Sequence, residues 1–167
     1  MGMTMGDFFA TIFTGNNLAF LGAALATFLA GIGSAKGVNM AGKSAAGVLS
    51  EDPGKFGKAF ALTALPMTQG IYGFAIGFLI LLNLGVLPGS EPVVLTAAQG
   101  GYYLMASLPV AFAGLISGIK QGEVAASGIS LIAKRPESLG RAITLTVLIE
   151  TYAILGFLIS VLLVLFG

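Results

Sequence analysis

The chain has 167 residues, 56% of them hydrophobic and only 9% charged, with a net charge of +1 and a mean hydropathy of +0.97. Ordinary soluble domains carry about 25% charged residues, so this composition excludes one and places the chain in a bilayer. With no cysteine and no histidine it has no disulfide, no thiol chemistry and no imidazole base or ligand; no catalytic residue and no cofactor site are expected.

The N-terminus, Met1-Gly-Met-Thr-Met-Gly-Asp-Phe-Phe9, lacks the basic segment with which a secretory leader begins, so the first apolar run is expected to be retained. Charge-free stretches extend from Phe8 to Ala35, Ala59 to Ser90 and Pro92 to Ile119. A fourth, from Ala142 to Gly167, is interrupted by Glu150 alone. Each exceeds the ~20 residues that cross a bilayer as a helix. The expected fold is therefore an all-α membrane protein with four transmembrane helices. They fall into a first hairpin, residues 1–85, with an inner helix over 8–46 and an outer one over 54–84. The second hairpin, residues 86–167, has an inner helix over 92–130 and an outer one over 137–166.

The first span is rich in small residues: Gly22, Ala23, Ala26, Ala30, Gly31, Gly33 and Gly37. Small residues let helix backbones approach closely in lipid, which marks this span, and its counterpart the third, as inner helices. At its end, Gly37-Val-Asn-Met-Ala-Gly42-Lys43-Ser44 satisfies the G-x-x-x-x-G-K-S phosphate-loop pattern. That pattern works only after a buried strand in an αβ domain, so here it is a decoy. Lys36, Lys43, Lys55 and Lys58 cluster between the first two spans, and Lys120, Lys134, Arg135 and Arg141 between the last two. Short basic loops stay in the cytoplasm, so both should face it, with the termini and the Asn83–Pro92 connection outside.

The second span carries Leu65-Pro-Met-Thr68-Gln69-Gly-Ile-Tyr72, whose Leu65, Thr68, Gln69 and Tyr72 share one helix face. Pro66 removes a backbone donor, which can free carbonyl oxygens as ligands. Its Phe74, Ile76, Phe78 and Leu79, like Phe157, Leu158, Leu162 and Phe166 of the fourth span, are expected to face lipid. The third span repeats the small residues as Ala106, Ser107, Ala111, Ala113, Gly114, Ser117, Gly118 and Gly122, and adds Gln121. Lys120 and Glu123, three apart, should pair near the basic end.

In the fourth span, Glu150 is an acid where an ionised carboxylate costs roughly 3 kcal/mol or more, the usual mark of an ion or proton path. Thr151 and Tyr152 beside it are expected to be packing residues. At 1.5 Å per residue, Gln69 and Glu150 both lie roughly 14 to 17 Å from the basic end, at a shared depth. Together with Thr68 and Gln121 they offer a carboxylate, two amides and a hydroxyl. A hard oxygen cage of this kind suits sodium, whereas a proton needs only the carboxyl group. Tyr72 could donate its hydroxyl to Glu150.

The two halves repeat each other. At an offset of 83, Pro53 meets Pro136, Gly57 meets Gly140, Lys58 meets Arg141, Thr68 meets Thr151 and Gly73 meets Gly156. Ahead of the basic turns an offset of 85 pairs Gly33 with Gly118 and Gly37 with Gly122, as a difference in loop length would produce. Glu150 aligns with Met67, so one hairpin carries an acid that the other lacks.

A duplicated hairpin with one acid in the fourth span resembles the proteolipid (c or K) subunit of V-type and A-type rotary ATPases. The segments that carry the likeness are Gly31–Gly37, Leu65–Gly73, Gln121–Gly128 and Glu150–Ile159, and Leu-Pro-x-Thr-Gln-Gly is most similar to the sodium-transporting bacterial branch. The resemblance implies a Na+ site built from the Leu65 carbonyl, Thr68, Gln69, Gln121 and Glu150, with Tyr72 bonded to the glutamate. It also implies a homo-oligomeric ring surrounded by lipid and turned by a cytoplasmic ATPase head, with a central stalk docked on the basic loops. The resemblance further implies a stator subunit that supplies an arginine, and no nucleic-acid partner is expected. A proton-carrying ring of the same type is the near alternative, and a stand-alone channel or carrier the more distant one.

Overall fold

The computed structural model describes residues 4–167, so residues 1–3 of the N-terminal reading above lie outside the described residues. Among the described residues every regular element is helical: α1 (Met5–Ile12), α2 (Gly15–Glu51), α3 (Phe56–Ala64), α4 (Thr68–Asn83), α5 (Ala97–Lys134) and α6 (Leu139–Phe166), with short 3-10 turns between. α3 and α4 form one span across the turn Leu65–Met67, which makes four helical spans of membrane-crossing length.

The helix expected over 8–46 is split at its start and longer at its end. Thr14 leaves helical geometry and its hydroxyl accepts the Asn17 N–H, the usual side-chain cap of a new helix. The short α1 ahead of it is closed by a reciprocal box between Thr4 and Asp7. The Thr4 hydrogen bonds hold the Asp7 carboxyl below its ordinary range. At the other end α2 runs on to Glu51 because its first breaker is Pro53. The second inner helix starts at Ala97 rather than 92, where Thr96 and Gln99 form another capping box. Asn16 ties down the non-helical residues 93–95, donating to the Val93 carbonyl and accepting the Leu95 N–H. Ahead of them, Gly85 adopts φ +64° beside the Glu91 carbonyl, a conformation and an approach that a side chain would obstruct.

At 37 and 38 residues α2 and α5 are ~55 Å long against a ~30 Å hydrocarbon core. The basic segments are thus mostly helix, with Lys36, Lys43 and Lys120 on the long helices themselves. The turns proper are short and alike: Asp52 then Pro53–Lys55, and Arg135 then Pro136–Ser138. No difference in loop length exists, so the offset of 85 has another origin. It is the register in which the parallel helices α2 and α5 touch. A Cβ on Gly118 would lie 2.6 Å from the Gly33 carbonyl carbon, and Gly37 faces both Gly118 and Gly122.

The outer spans pack onto this pair through glycine as well, Gly73 against Ala26 and Ala30, and Gly156 against Pro109 and Ala113. These contacts keep the 83-residue spacing. Of the residues expected to face lipid, Phe74, Phe78, Leu158, Leu162 and Phe166 are exposed. Ile76 is instead fully buried between helices, and Leu79 and Phe157 are half-buried, since a helix packed on two neighbours leaves only one stripe free. Two prolines leave their mark on the interior. Beyond the Leu65–Met67 turn around Pro66, the Gly70 N–H is taken by the Ser34 hydroxyl at 2.8 Å, and the Val110 N–H next to Pro109 by that of Ser160 at 3.1 Å.

Candidate ion-binding site

Three helices bring one polar cluster together. From α6, Glu150 is 8% exposed; from α4 and α5, Gln69 and Gln121 are fully buried. The Tyr72 hydroxyl donates to Glu150 Oε1 at 2.8 Å, and Gln121 Nε2 donates to Oε2 at 2.8 Å. Gln69 Nε2 reaches the same Oε2 at 3.5 Å and donates more closely to Gln121 Oε1. Tyr72 is held in place by stacking on Phe157, with ring centroids 5.0 Å apart.

The local sequence explains this convergence. Gln69 and Tyr72 are three apart and therefore share a helix face, and they follow the Pro66 turn that sets the direction of α4. Gln121 sits beside Gly118 and Gly122, whose missing side chains draw α5 against α2. The carboxylate accepts three donors and has no cation among its hydrogen-bonding partners, an arrangement that lets an acid persist in a low-dielectric interior.

Of the expected site residues, Gln69, Gln121, Glu150 and Tyr72 are joined by direct hydrogen bonds. Leu65 and Thr68 are joined to each other, the Thr68 hydroxyl donating to the Leu65 carbonyl at 3.1 Å, and make no hydrogen bond to the carboxylate. One atom of the cluster is unmatched: Gln69 Oε1 is buried with no donor. A buried acceptor without a donor is uncommon in folded proteins. Amide and carboxylate oxygens are hard donors, of the kind that hard cations take.

Thr146 belongs to the cluster and was not anticipated. It is fully buried, and its carbonyl accepts from Gln121 Nε2 at 3.3 Å. Its spacing of four from Glu150 was the available signal, one turn along the same face. Thr151 and Tyr152, expected to pack, are exposed, and the Thr151 hydroxyl turns back to the Leu148 carbonyl. Lys120 pairs with Glu123 at 3.0 Å, as the spacing indicates. Gly37–Ser44 is helical throughout, with Gly37 against α5 and the Ser44 hydroxyl donating to the Ala126 carbonyl, so the phosphate-loop pattern forms no loop of free N–H groups.

Duplicated hairpins of small-residue helices around one amide-bound carboxylate define a class of multi-pass membrane protein built to hold a charge inside the bilayer. The chain belongs to the ATP synthase C-subunit family, whose model matches it twice, over residues 21–80 and 104–163, at the same 83-residue spacing as the structural repeat. It is 52% identical over 161 residues to the V-type sodium ATPase subunit K of Enterococcus hirae, covering 96% of this chain and 99% of that one. It is 42% identical over 146 residues to the A-type ATP synthase subunit K of Methanocaldococcus jannaschii, covering 87% of this chain and 61% of that one.

Proposed function

We propose that this protein is the rotor-ring subunit of a V-type ATPase that carries Na+ through the membrane, one ion per copy, at Glu150. The observation that carries this reading is the buried, unpartnered Gln69 Oε1, on an amide whose Nε2 reaches a carboxylate that already accepts from Gln121 and Tyr72. A half-turn of the Gln69 amide exchanges its donor for its oxygen and offers a cation a second ligand. Gln121 Oε1, the Thr68 hydroxyl and the Leu65 carbonyl are the further oxygens proposed for the site. The similarity to a sodium ATPase subunit supports the same cargo.

The charge arithmetic explains why such a site would move. With Na+ bound, Glu150 is neutralised and can face lipid at modest cost; emptied, it is a buried anion. No hydrogen bond or ion pair links Glu150 to any Lys or Arg among the described residues. The compensating charge therefore comes from another protein, proposed here as an arginine of a stator subunit. The basic ends of α2 and α5 face the cytoplasm and meet a central stalk, with the termini outside.

The test is carbodiimide labelling of Glu150, a reaction that consumes the protonated acid. Sodium is expected to protect at fixed pH, through displacement of that proton. Labelling that follows pH and ignores sodium would establish a proton carrier instead. Tyr72→Phe removes a hydrogen bond to a charged group, worth about 1.5 kcal/mol. The sodium concentration needed for half-protection is expected to rise about tenfold. Assembly bears on the rest of the reading: a high-order ring is expected in mild detergent, and a monomer or dimer would support a stand-alone carrier.

A further inference from the structure

The span built from α3 and α4 is broken inside the bilayer, and its second half starts without a cap of its own. α4 begins at Thr68 after the Leu65–Met67 turn, and Met67 at its N-cap position offers no side-chain acceptor. The first four N–H groups of a helix have no acceptor within it, and lipid supplies none. Gly70 is the third residue of α4, a position whose N–H a serine or threonine N-cap ordinarily takes. Here a different helix provides the acceptor: the Ser34 hydroxyl of α2, 36 residues away in sequence, at 2.8 Å.

Ser34 is buried at the junction of three helices. A Cβ on Gly118 of α5 would lie 2.9 Å from its backbone nitrogen, and a Cβ on Gly70 of α4 would lie 3.3 Å from its hydroxyl oxygen. Glycine on both sides therefore seats Ser34 closely between its neighbours. The second hairpin provides the contrast. At the 83-residue offset the counterparts of Ser34 and Pro66 are Ser117 and Ile149. α6 runs unbroken through Ile149 from Leu139 to Phe166, and the buried Ser117 hydroxyl has no partner. The serine is present in both hairpins and is engaged only where a proline interrupts the span.

We infer that Ser34 is a positioning residue for the ion site: by capping α4 from α2 it fixes the first turn of that helix, and with it Thr68 and the Gln69 amide. Gln69 immediately precedes the capped residue, and its Nε2 donates to Gln121 and reaches Glu150. Tyr72 lies beyond the capped residue and is held separately by its stacking on Phe157. The seam between α2 and α5 is thereby coupled to the site through a chain of contacts, Gly118 to Ser34, Ser34 to Gly70, and Gly70 to its neighbour Gln69. The inference rests on the sodium reading, because Thr68 and Gln69 are oxygens proposed for Na+, whereas a proton requires only the carboxylate.

The test is sodium protection of Glu150 from carbodiimide in the full-length protein in membranes. Ser34→Ala is expected to raise the sodium concentration for half-protection about fivefold, the equivalent of a lost side-chain cap. Labelling without sodium should keep its pH dependence, since Tyr72 and Gln121 still bond the carboxylate. A comparable shift in that pH dependence would mean that Ser34 acts through general packing, and would overturn the inference. Pro66→Ala restores a backbone donor and lets the Gly70 N–H find the carbonyl four residues back, so adding Ser34→Ala to it should change half-protection little further. The same fivefold loss in both backgrounds would refute the capping role, as would unchanged half-protection in Ser34→Ala. Ser117→Ala is expected to match the parent protein, and an equal loss there would show that any buried hydroxyl on these helices has the same effect. Should Ser34→Ala fail to assemble, Ser34→Cys fills the space with a weaker acceptor and is expected to show the same loss. Labelling of the parent protein that ignores sodium would instead remove the sodium reading itself.

Discussion

Glu150→Gln is expected to abolish ion transport while leaving the protein folded and assembled. The substituted amide is nearly isosteric, and its oxygen can still accept from Tyr72 or Gln121, which bond the carboxylate at 2.8 Å each. What it removes is the charge. An uncharged side chain in the bilayer saves roughly 3 kcal/mol or more relative to an ionised one, so the fold gains where the site loses. Without a negative charge there is no driving force to strip water from a cation and no anion for the proposed stator arginine to recognise. Sodium uptake into vesicles should fall to background while ring yield in detergent is unchanged. Transport that survives in this variant would remove Glu150 from the ion path.

Gly118→Leu is expected to have the second-largest effect, this time on assembly. The Cβ alone would stand 2.6 Å from the Gly33 carbonyl carbon and 2.9 Å from the Ser34 backbone nitrogen. Both are main-chain atoms that cannot turn aside, unlike the end of a flexible side chain. Overpacking of a well-filled interior costs about 1 to 3 kcal/mol even where side chains adjust, and a whole isobutyl group between two backbones exceeds that range. Separation of α2 from α5 also withdraws Gln121, three residues on, from Gln69, whose helix α4 packs on α2 through Gly73. Folded protein recovered in detergent should fall severely. Gly140→Leu is the control, since a Cβ there meets nothing within 4 Å, and near-normal recovery is expected. Gly→Leu raises helix propensity at both positions, so equal loss in both would remove close approach at Gly118 as the requirement.

The helical class, the four spans and the duplication could be found in the sequence because apolar length and the matched prolines act locally. Helix ends were less accessible. The break before Gly15 depends on a threonine cap and the late start of α5 on the Thr96–Gln99 box, while the segment ahead of α5 is held by Asn16 reaching across 77 residues to Val93, a contact that no local pattern contains. The offset of 85 shows how a contact can imitate an alignment: glycines that face each other across parallel helices repeat as regularly as glycines that share an ancestor. At the candidate site, the face of α4 and the depth of Glu150 predicted the meeting of Gln69, Tyr72 and Glu150. Depth alone could not show that Leu65 and Thr68 bond to each other, nor that Thr146 joins from below. Those details depend on side-chain rotation, which sequence spacing leaves open.

Met67, on the surface where its counterpart Glu150 is enclosed, has a consequence for energy conversion. In the proposed ring, half of the hairpins carry no acid. For a wheel of given circumference, each full turn then delivers half as many ions as an arrangement with an acid in every hairpin. The work supplied per turn is divided among fewer passengers, and each can be lifted against a steeper gradient. A methionine where the other hairpin has a glutamate is in this sense a choice of gear, trading throughput for the height to which each ion is raised.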